Sequence, residues 1–208
     1  MLPQLLKQAA EELNRRETAR DQVLTRARRA RLLSKQSILY THNDDHQKAQ
    51  DNLAKARRLI LEMDPSIAEF PELNHYEEAE AAYEEYSEAS ILNALETNGD
   101  YPTPNEIGVG TLRYILGLAD VPGELRREAL DELRHDNSKK AEAYLTRMED
   151  IYTQLVTMED ASLLLKGLRR KLDIVRGVTE ATRAELTAEA GRRRLADTVQ
   201  KLTDRLKD

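Results

Sequence analysis

Apolar positions recur along most of the chain with the three-and-four spacing of an amphipathic helix. In the first 41 residues they include Leu24, Leu32, Ile38 and Leu39. This spacing places apolar side chains on one side of a helix and leaves the opposite side polar. No segment shows the strict alternation that is typical of a half-buried strand. The pattern therefore predicts an all-α fold.

Turn, cap and proline signals divide this pattern into separate helices. A first helix is predicted from Pro3 to about Thr41, a second up to Met63, and a third from Pro71 to about Asn98. The capping-box sequence at Thr103 and Glu106 predicts the start of a fourth helix, which would carry both Asp120 and Glu124. A further helix is predicted to end near Met158. Residues 159–162 are predicted to cap the last long helix.

Composition narrows the class of protein. The 208 residues are 34% charged and 40% hydrophobic, which suits long amphipathic helices in one domain with a sizeable core. No stretch approaches the roughly 18–20 apolar residues of a membrane span, and the first residues do not resemble a secretory signal. There is no cysteine, which excludes disulfides, thiolate catalysis and cysteine-based metal sites. We expect a cytoplasmic protein with no membrane partner.

Four carboxylates arranged in two pairs are the strongest sign of chemistry. Glu85 and Glu88 are three residues apart, and Asp120 and Glu124 are four apart, so each pair would share one helix face. If the two helices packed face to face, four like charges would converge and would need a counter-cation such as Mg²⁺ or Mn²⁺. Removing one of these charges is then predicted to stabilise the metal-free protein slightly. The alternative is that both pairs are ordinary solvated acidic faces.

The surroundings of the second pair argue against simple surface acids. Asp120 follows an apolar stretch that contains Gly110 and Gly117, with Gly123 close behind. Glycines in a helix allow another backbone or a ligand to approach closely. Pro122 would disturb a continuous helix, so a local bend is expected near Asp120.

These motifs resemble those of a known family, translin and translin-associated factor X. Residues 114–127 are similar to the family pattern Tyr-Leu-x-Gly-x-Ala-Asp-x-x-Gly-Glu-Leu-x-Arg, and residues 85–89 resemble the factor-X pattern Glu-Tyr-x-Glu-Ala. Residues 34–38, followed by His42, are similar to the family's Ser-Lys-Arg-Thr-Ile with its later histidine. The resemblance covers roughly residues 17–187. We assign residues 1–187 to a translin-like helical domain and residues 188–208 to a charged helical extension.

The resemblance implies an elongated bundle of about seven helices that assembles into a closed, barrel-like homo-oligomer. It also implies binding of short or single-stranded RNA, and of single-stranded DNA, on the inner wall. Factor X is a metal-dependent endoribonuclease of phosphodiester bonds, and its acids match Glu85, Glu88, Asp120 and Glu124. These four residues are therefore expected to be both the catalytic residues and the ligands of Mg²⁺ or Mn²⁺. Pro122 departs from the pattern.

The charge of the chain gives weaker support for a nucleic-acid partner. The formal net charge is −6, which is unusual for a nucleic-acid-binding protein. Arg28, Lys35 and His42, however, are spaced by seven residues and would form a stripe along one helix. We expect this basic stripe to contact RNA phosphates, independently of the acids because it lies on another helix. Arg127 is expected to lie beside Glu124 and to contact the reacting phosphate.

The leading hypothesis is a metal-dependent endoribonuclease that cuts short or single-stranded RNA inside an oligomeric chamber. A second hypothesis is a translin-like oligomer that binds single-stranded RNA or DNA without cutting it, and a third is a structural helical bundle. Of two further basic runs, residues 169–171 are interpreted as a solvated helix face. Residues 192–194 are interpreted as exposed helix, with contact to RNA or a neighbouring subunit as the alternative.

Overall fold

The computed structural model describes residues 1–158 and 164–207, and all regular structure in them is helical. Seven helices in these ranges have eight or more residues: α1 (Leu2–His42), α2 (His46–Leu61), α4 (Glu77–Thr97), α6 (Thr111–Leu118), α7 (Val121–Arg134), α8 (Ser138–Val156) and α9 (Leu168–Arg205). Two shorter ones, α3 (Asp64–Glu69) and α5 (Pro104–Ile107), and a 3-10 turn at Pro71–His75 lie between them. The predicted all-α fold is confirmed. None of the described helices is both long and apolar enough to cross a membrane.

Short polar side chains cap the first turns of several helices. The Asp45 side chain accepts a hydrogen bond from the first turn of α2, and Asn137 does the same for α8. Thr103 and Glu106 form the predicted capping box at the start of α5. These bonds satisfy backbone N–H groups that have no partner within the helix. The predicted cap at residues 159–162 lies outside the described residues.

The prediction of one helix carrying both Asp120 and Glu124 is wrong. Three helices, α5, α6 and α7, occupy that segment. Gly108 ends α5 in the left-handed conformation, with a φ of 76°. Residues 119 and 120 form a turn, and Pro122 lies in the first turn of α7. A proline is well tolerated there because the N–H that it lacks would have had no partner within the helix.

Residues Met1–Leu118 form one compact unit. In it α1 packs along α2 and α4, and α6 packs on α4. Small side chains line these contacts, and Ala27, Ala30, Ala56, Ala79 and Ala82 are completely buried. Alanine lets helix backbones approach closely over a long distance, which the 41-residue α1 exploits.

Residues Ala119–Asp208 form a second compact unit, in which α7, α8 and α9 pack against one another. The buried positions of α9 recur every three or four residues along one face: Leu168, Leu172, Val175, Thr179, Thr182 and Leu186. Beyond this face the helix continues without a break to Arg205. The division into a domain of residues 1–187 and an extension of residues 188–208 stays a prediction.

Candidate functional site

The first acid pair lies in the middle of α4, and it is largely enclosed. The Glu85 side chain is 16% exposed, and Glu88 is 9% exposed. All residues from 86 to 93 around them are buried. Carboxylates seldom reach such burial unless charges or hydrogen bonds compensate them. The alternative of a solvated acidic face is therefore wrong for this pair.

A glycine brings α6 into direct contact with this part of α4. A Cβ atom added to Gly117 would lie 2.6 Å from the Glu84 carbonyl oxygen, 2.6 Å from the Ser87 Cβ and 2.9 Å from the Glu88 backbone nitrogen. Only glycine leaves room for this approach. The prediction of a close backbone contact is confirmed at Gly117. At Gly110 and Gly123 an added Cβ would meet nothing within 4 Å, so no backbone lies close there and approach of a ligand stays a prediction.

An arginine fixes the same helix pair. The Arg113 guanidinium of α6 donates hydrogen bonds to Glu80 and to Glu84 of α4, the latter at 3.2 Å. Its side chain is only 17% exposed. Planar, multidentate contacts of this kind restrict both the register and the rotation of the two helices. Gly117 and Arg113 therefore hold α6 against the acidic segment of α4.

Basic residues of α1 supply counter-charges to the first acid pair. Glu85 Oε2 lies 3.5 Å from Arg31 Nε and 3.7 Å from Lys35 Nζ. One turn earlier, Arg28 donates a hydrogen bond of 3.0 Å to Glu78, which lowers the pKa of that carboxyl. The expectation that the basic stripe is independent of the acids is therefore wrong, because Lys35 contacts Glu85 directly.

The accessibility of the basic stripe still permits contact with a ligand. The side chains of Arg28 and Lys35 are 66% and 54% exposed. His42 is the last residue of α1, and it is partly exposed. Long basic side chains of this exposure can exchange an acidic partner for a phosphate at small cost. Contact between the stripe and RNA stays a prediction.

The second acid pair lies at the start of α7, in the second unit. Asp120 is the N-cap residue, and Glu124 lies in the first turn of the helix. An acidic group at a helix N-terminus is stabilised by the positive end of the helix dipole. Asp120 lies just before the helix with a helical backbone conformation, and the shared face of the two acids stays a prediction. Pro122 and Gly123 belong to α7 itself and do not distort it.

A lysine from α9 contacts Asp120. Lys171 Nζ lies 2.5 Å from Asp120 Oδ2, and the Lys171 side chain is 20% exposed. The interpretation of residues 169–171 as a solvated face is therefore wrong for Lys171. In the other basic run, Arg193 is also engaged: it donates hydrogen bonds to the Leu133 and Asp136 carbonyl oxygens at the turn before α8.

Arg127 is exposed on α7, three residues after Glu124. Its neighbour Arg126 has a structural role, since it donates hydrogen bonds to Thr182 at 2.9 Å and Glu185 at 2.7 Å in α9. Arg126, Arg127 and Arg134 border an open depression of about 480 Å³ on α7. A phosphate could reach this group of guanidinium ions from solvent.

The chemistry of the four acids fits a hard divalent ion, because carboxylate oxygens are the ligands that Mg²⁺ and Mn²⁺ prefer. Glu85 and Glu88 belong to the first unit, and Asp120 and Glu124 to the second. Across residues 1–158 and 164–207, no three or more Asp, Glu or His side chains are grouped as metal ligands. The metal site stays a prediction.

Comparison with known proteins assigns the family. No protein-family model matches the chain. An uncharacterized protein of Methanocaldococcus jannaschii is 36% identical over 145 residues, which are 69% of this chain and 64% of that protein. The matched region thus spans less than two thirds of that curated relative.

Solved structures extend the match to nearly the whole chain. AfC3PO in complex with duplex RNA is 32% identical with a TM-score of 0.79, and the match covers 93% of this chain and 98% of that one. AfC3PO alone gives 0.80 at 32% identity over 93% and 99% of the two chains. Apo-NeC3PO gives 0.80 at 25% identity over 88% and 96%. This fold and this likeness define a C3PO-type helical protein, and the chain belongs to the translin family.

Sequence reasoning missed the partners of the acids. Arg31 stood in a basic run and Lys171 in another, and neither position carries a local signal for a carboxylate partner. Arg113 was missed as well. Its contacts lie 29 and 33 residues away in the sequence, so only the folded chain reveals them.

Proposed function

We propose that this chain is the subunit of an RNA-binding oligomer that cleaves RNA as a metal-dependent endoribonuclease. Glu85, Glu88, Asp120 and Glu124 are the proposed ligands of Mg²⁺ or Mn²⁺. The observation that carries the proposal is the enclosure of Glu85 and Glu88 in α4, at 16% and 9% exposure. The likeness to AfC3PO, whose structure is known with duplex RNA, points to the same class of ligand.

A bound metal would polarise the phosphodiester and lower the pKa of a water molecule, whose attack on phosphorus would break the bond to the leaving ester oxygen. The chain's own residues would then position the substrate and manage charge. Glu124 is the proposed acceptor of the water's proton, since it lies in the first turn of α7 and is partly exposed. Arg127, one turn further, would stabilise negative charge on the phosphate oxygens.

RNA binding would use the exposed basic side chains rather than base-specific pockets. Arg28 and Lys35 lie about two helical turns apart on α1, so each could contact a different phosphate of one strand. Contacts of this kind do not read the base sequence. Because AfC3PO was solved with duplex RNA, both duplex and single-stranded RNA belong in any test.

A second candidate is an oligomer that binds RNA or single-stranded DNA without cutting it. One observation favours it: Glu85 already contacts Arg31 and Lys35, and Asp120 contacts Lys171. A carboxylate held by protein cations binds a metal less readily. The two candidates differ in whether RNA is cut in the presence of the metal, so one experiment separates them.

End-labelled duplex and single-stranded RNA should be incubated with the purified protein in Mg²⁺, in Mn²⁺ and in EDTA. The nuclease proposal expects cleavage that requires the metal and that disappears in Asp120→Asn. Binding with no cleavage in either metal would leave the second candidate. Arg176→Ala, which removes an exposed arginine of α9 that pairs with Asp173 one turn earlier, is the control and should cleave normally.

Assembly is tested separately. Light scattering coupled to size exclusion should give a mass several times the 23.8 kDa of one chain. A monomer at micromolar concentration would contradict the oligomer in the proposal, whereas the metal dependence is tested by the cleavage assay alone.

A further inference from the structure

Lys171 is placed beside Asp120 by the packing of α9 on α7. On α9 the neighbouring Leu168 and Leu172 are 0% and 6% exposed. Further along the same helix, Arg126 of α7 is hydrogen-bonded to Thr182. A helix anchored at two separated points has little freedom to slide or rotate. This packing restrains the backbone of Lys171, and its long side chain keeps more freedom.

The contact itself is a compact, partly enclosed ion pair. Lys171 Nζ and Asp120 Oδ2 are 2.5 Å apart, with side chains that are 20% and 37% exposed. Charged hydrogen bonds in such surroundings are stronger than those between fully exposed groups. The N-terminus of α7 adds a further favourable field at Asp120. The negative charge of this carboxylate is thus compensated by the protein alone.

We propose that Lys171 is the resident counter-cation of Asp120, and that a divalent ion can use this carboxylate only after the ammonium group has moved away. This inference rests on the proposed function, since it concerns one of its metal ligands. Lysine suits the role because its single ammonium group sits on a flexible four-carbon stem. An arginine at the same position would grip the carboxylate through two parallel hydrogen bonds and would release it less easily.

The expected effect follows from elementary electrostatics. A single positive charge about 5 Å from a divalent ion lowers its association constant by about tenfold even at the dielectric constant of water. Lys171→Met removes the charge and keeps a side chain of similar length. It should therefore bind Mn²⁺ at least about tenfold more tightly than the parent protein. Lys171→Arg should bind Mn²⁺ more weakly than the parent.

The test is calorimetric titration of the full-length protein with Mn²⁺ in the absence of RNA. The variants are Lys171→Met, Lys171→Arg, Asp120→Asn and the control Lys201→Met, which removes an exposed lysine from the same helix. The expected order of affinity is Lys171→Met above the parent and Lys201→Met, and these above Lys171→Arg. Thermal unfolding should agree: Mn²⁺ should raise the Tm of Lys171→Met more than that of the parent.

The outcomes distinguish a failure of the counter-cation role from a failure of the metal site. Mn²⁺ binding that is lost in Asp120→Asn but equal in the parent and both Lys171 variants would overturn the counter-cation role and leave the metal site intact. Absence of Mn²⁺ binding in the parent and in Lys171→Met would overturn both. If Lys171→Met failed to fold, as judged by circular dichroism, Lys171→Arg would decide, and unchanged affinity in that variant would refute the inference.

Discussion

Replacing Gly117 by alanine tests whether α6 really lies against the backbone of α4. The new Cβ would meet the Glu84 carbonyl oxygen at 2.6 Å, whereas ordinary contacts begin at 3.4 Å. The two helices would have to separate by about 0.8 Å locally, because backbone atoms cannot rotate away as a side chain can. Overpacking of this kind costs about 1–3 kcal/mol.

The sign of the effect makes the test sharp. In a helix without tertiary contacts, the same substitution stabilises by up to about 1 kcal/mol, because alanine is the better helix former. Gly177 offers the matched control, since it lies inside α9 and an added Cβ would meet nothing within 4 Å. We expect Gly117→Ala to destabilise and Gly177→Ala to stabilise the protein.

Urea unfolding followed by circular dichroism measures both variants, at one protein concentration so that any assembly contributes equally. A midpoint for Gly117→Ala equal to or above that of the parent would refute the close approach of α6 to α4. A lower urea midpoint in both variants would mean that glycine is needed at Gly177 for another reason, and Gly177→Ala would then not serve as the control. RNA cleavage by Gly117→Ala should fall as well, because the clash lies beside the backbone of Glu88.

Three further predictions follow from the contacts of the charged and buried groups. Asp120→Asn breaks the ion pair with Lys171, so the metal-free protein should lose about 0.5–1 kcal/mol of stability in urea unfolding. The expected loss is small because Asp120 is 37% exposed. A gain in stability would instead support mutual repulsion of the acids. The double variant Arg28→Ala, Lys35→Ala should weaken RNA binding for all sequences. It should also reduce the slope of log affinity against log salt concentration by about 0.7 for each lost phosphate contact on single strands. An unchanged slope would mean that neither residue contacts phosphate. Burial raises the pKa of Tyr83 to about 12, so the stability that the protonated phenol contributes is present below about pH 10 and is lost as the pH rises towards 12. Tyr83→Phe should therefore lose less stability than the parent between about pH 10 and pH 12. Equal losses in the two proteins would contradict the raised pKa.

Much of the secondary structure could be predicted from local chemistry. Helix starts at Asp45, Thr103 and Asn137 depend on side chains that bond to their own first turn, so the signal lies within a few residues. The error at residues 103–124 has an equally local cause. Pro122 was interpreted as a disturbance inside a helix, whereas it stands in the first turn of a new one.

The candidate site could likewise be predicted only in part from the sequence. The identity of the four acids and the resemblance of their motifs could be found in the sequence, because residue type and spacing are enough to recognise a pattern. Their surroundings could not. Lys171 lies 51 residues from Asp120, and Lys35 lies 50 residues from Glu85, so the sequence around either acid does not indicate its partner.

The sequence by itself thus determined an all-α chain, the capped helix start at Thr103 and the residues that could hold a metal, since these follow from short-range periodicity and capping. Only the tertiary structure decided which of three similar glycines permits a close approach, because that depends on what lies opposite each one. It also reversed the expected effect of removing Asp120. Like charges predicted repulsion, whereas the packing of α9 on α7 brings a lysine to that carboxylate and turns the same charge into a stabilising contact.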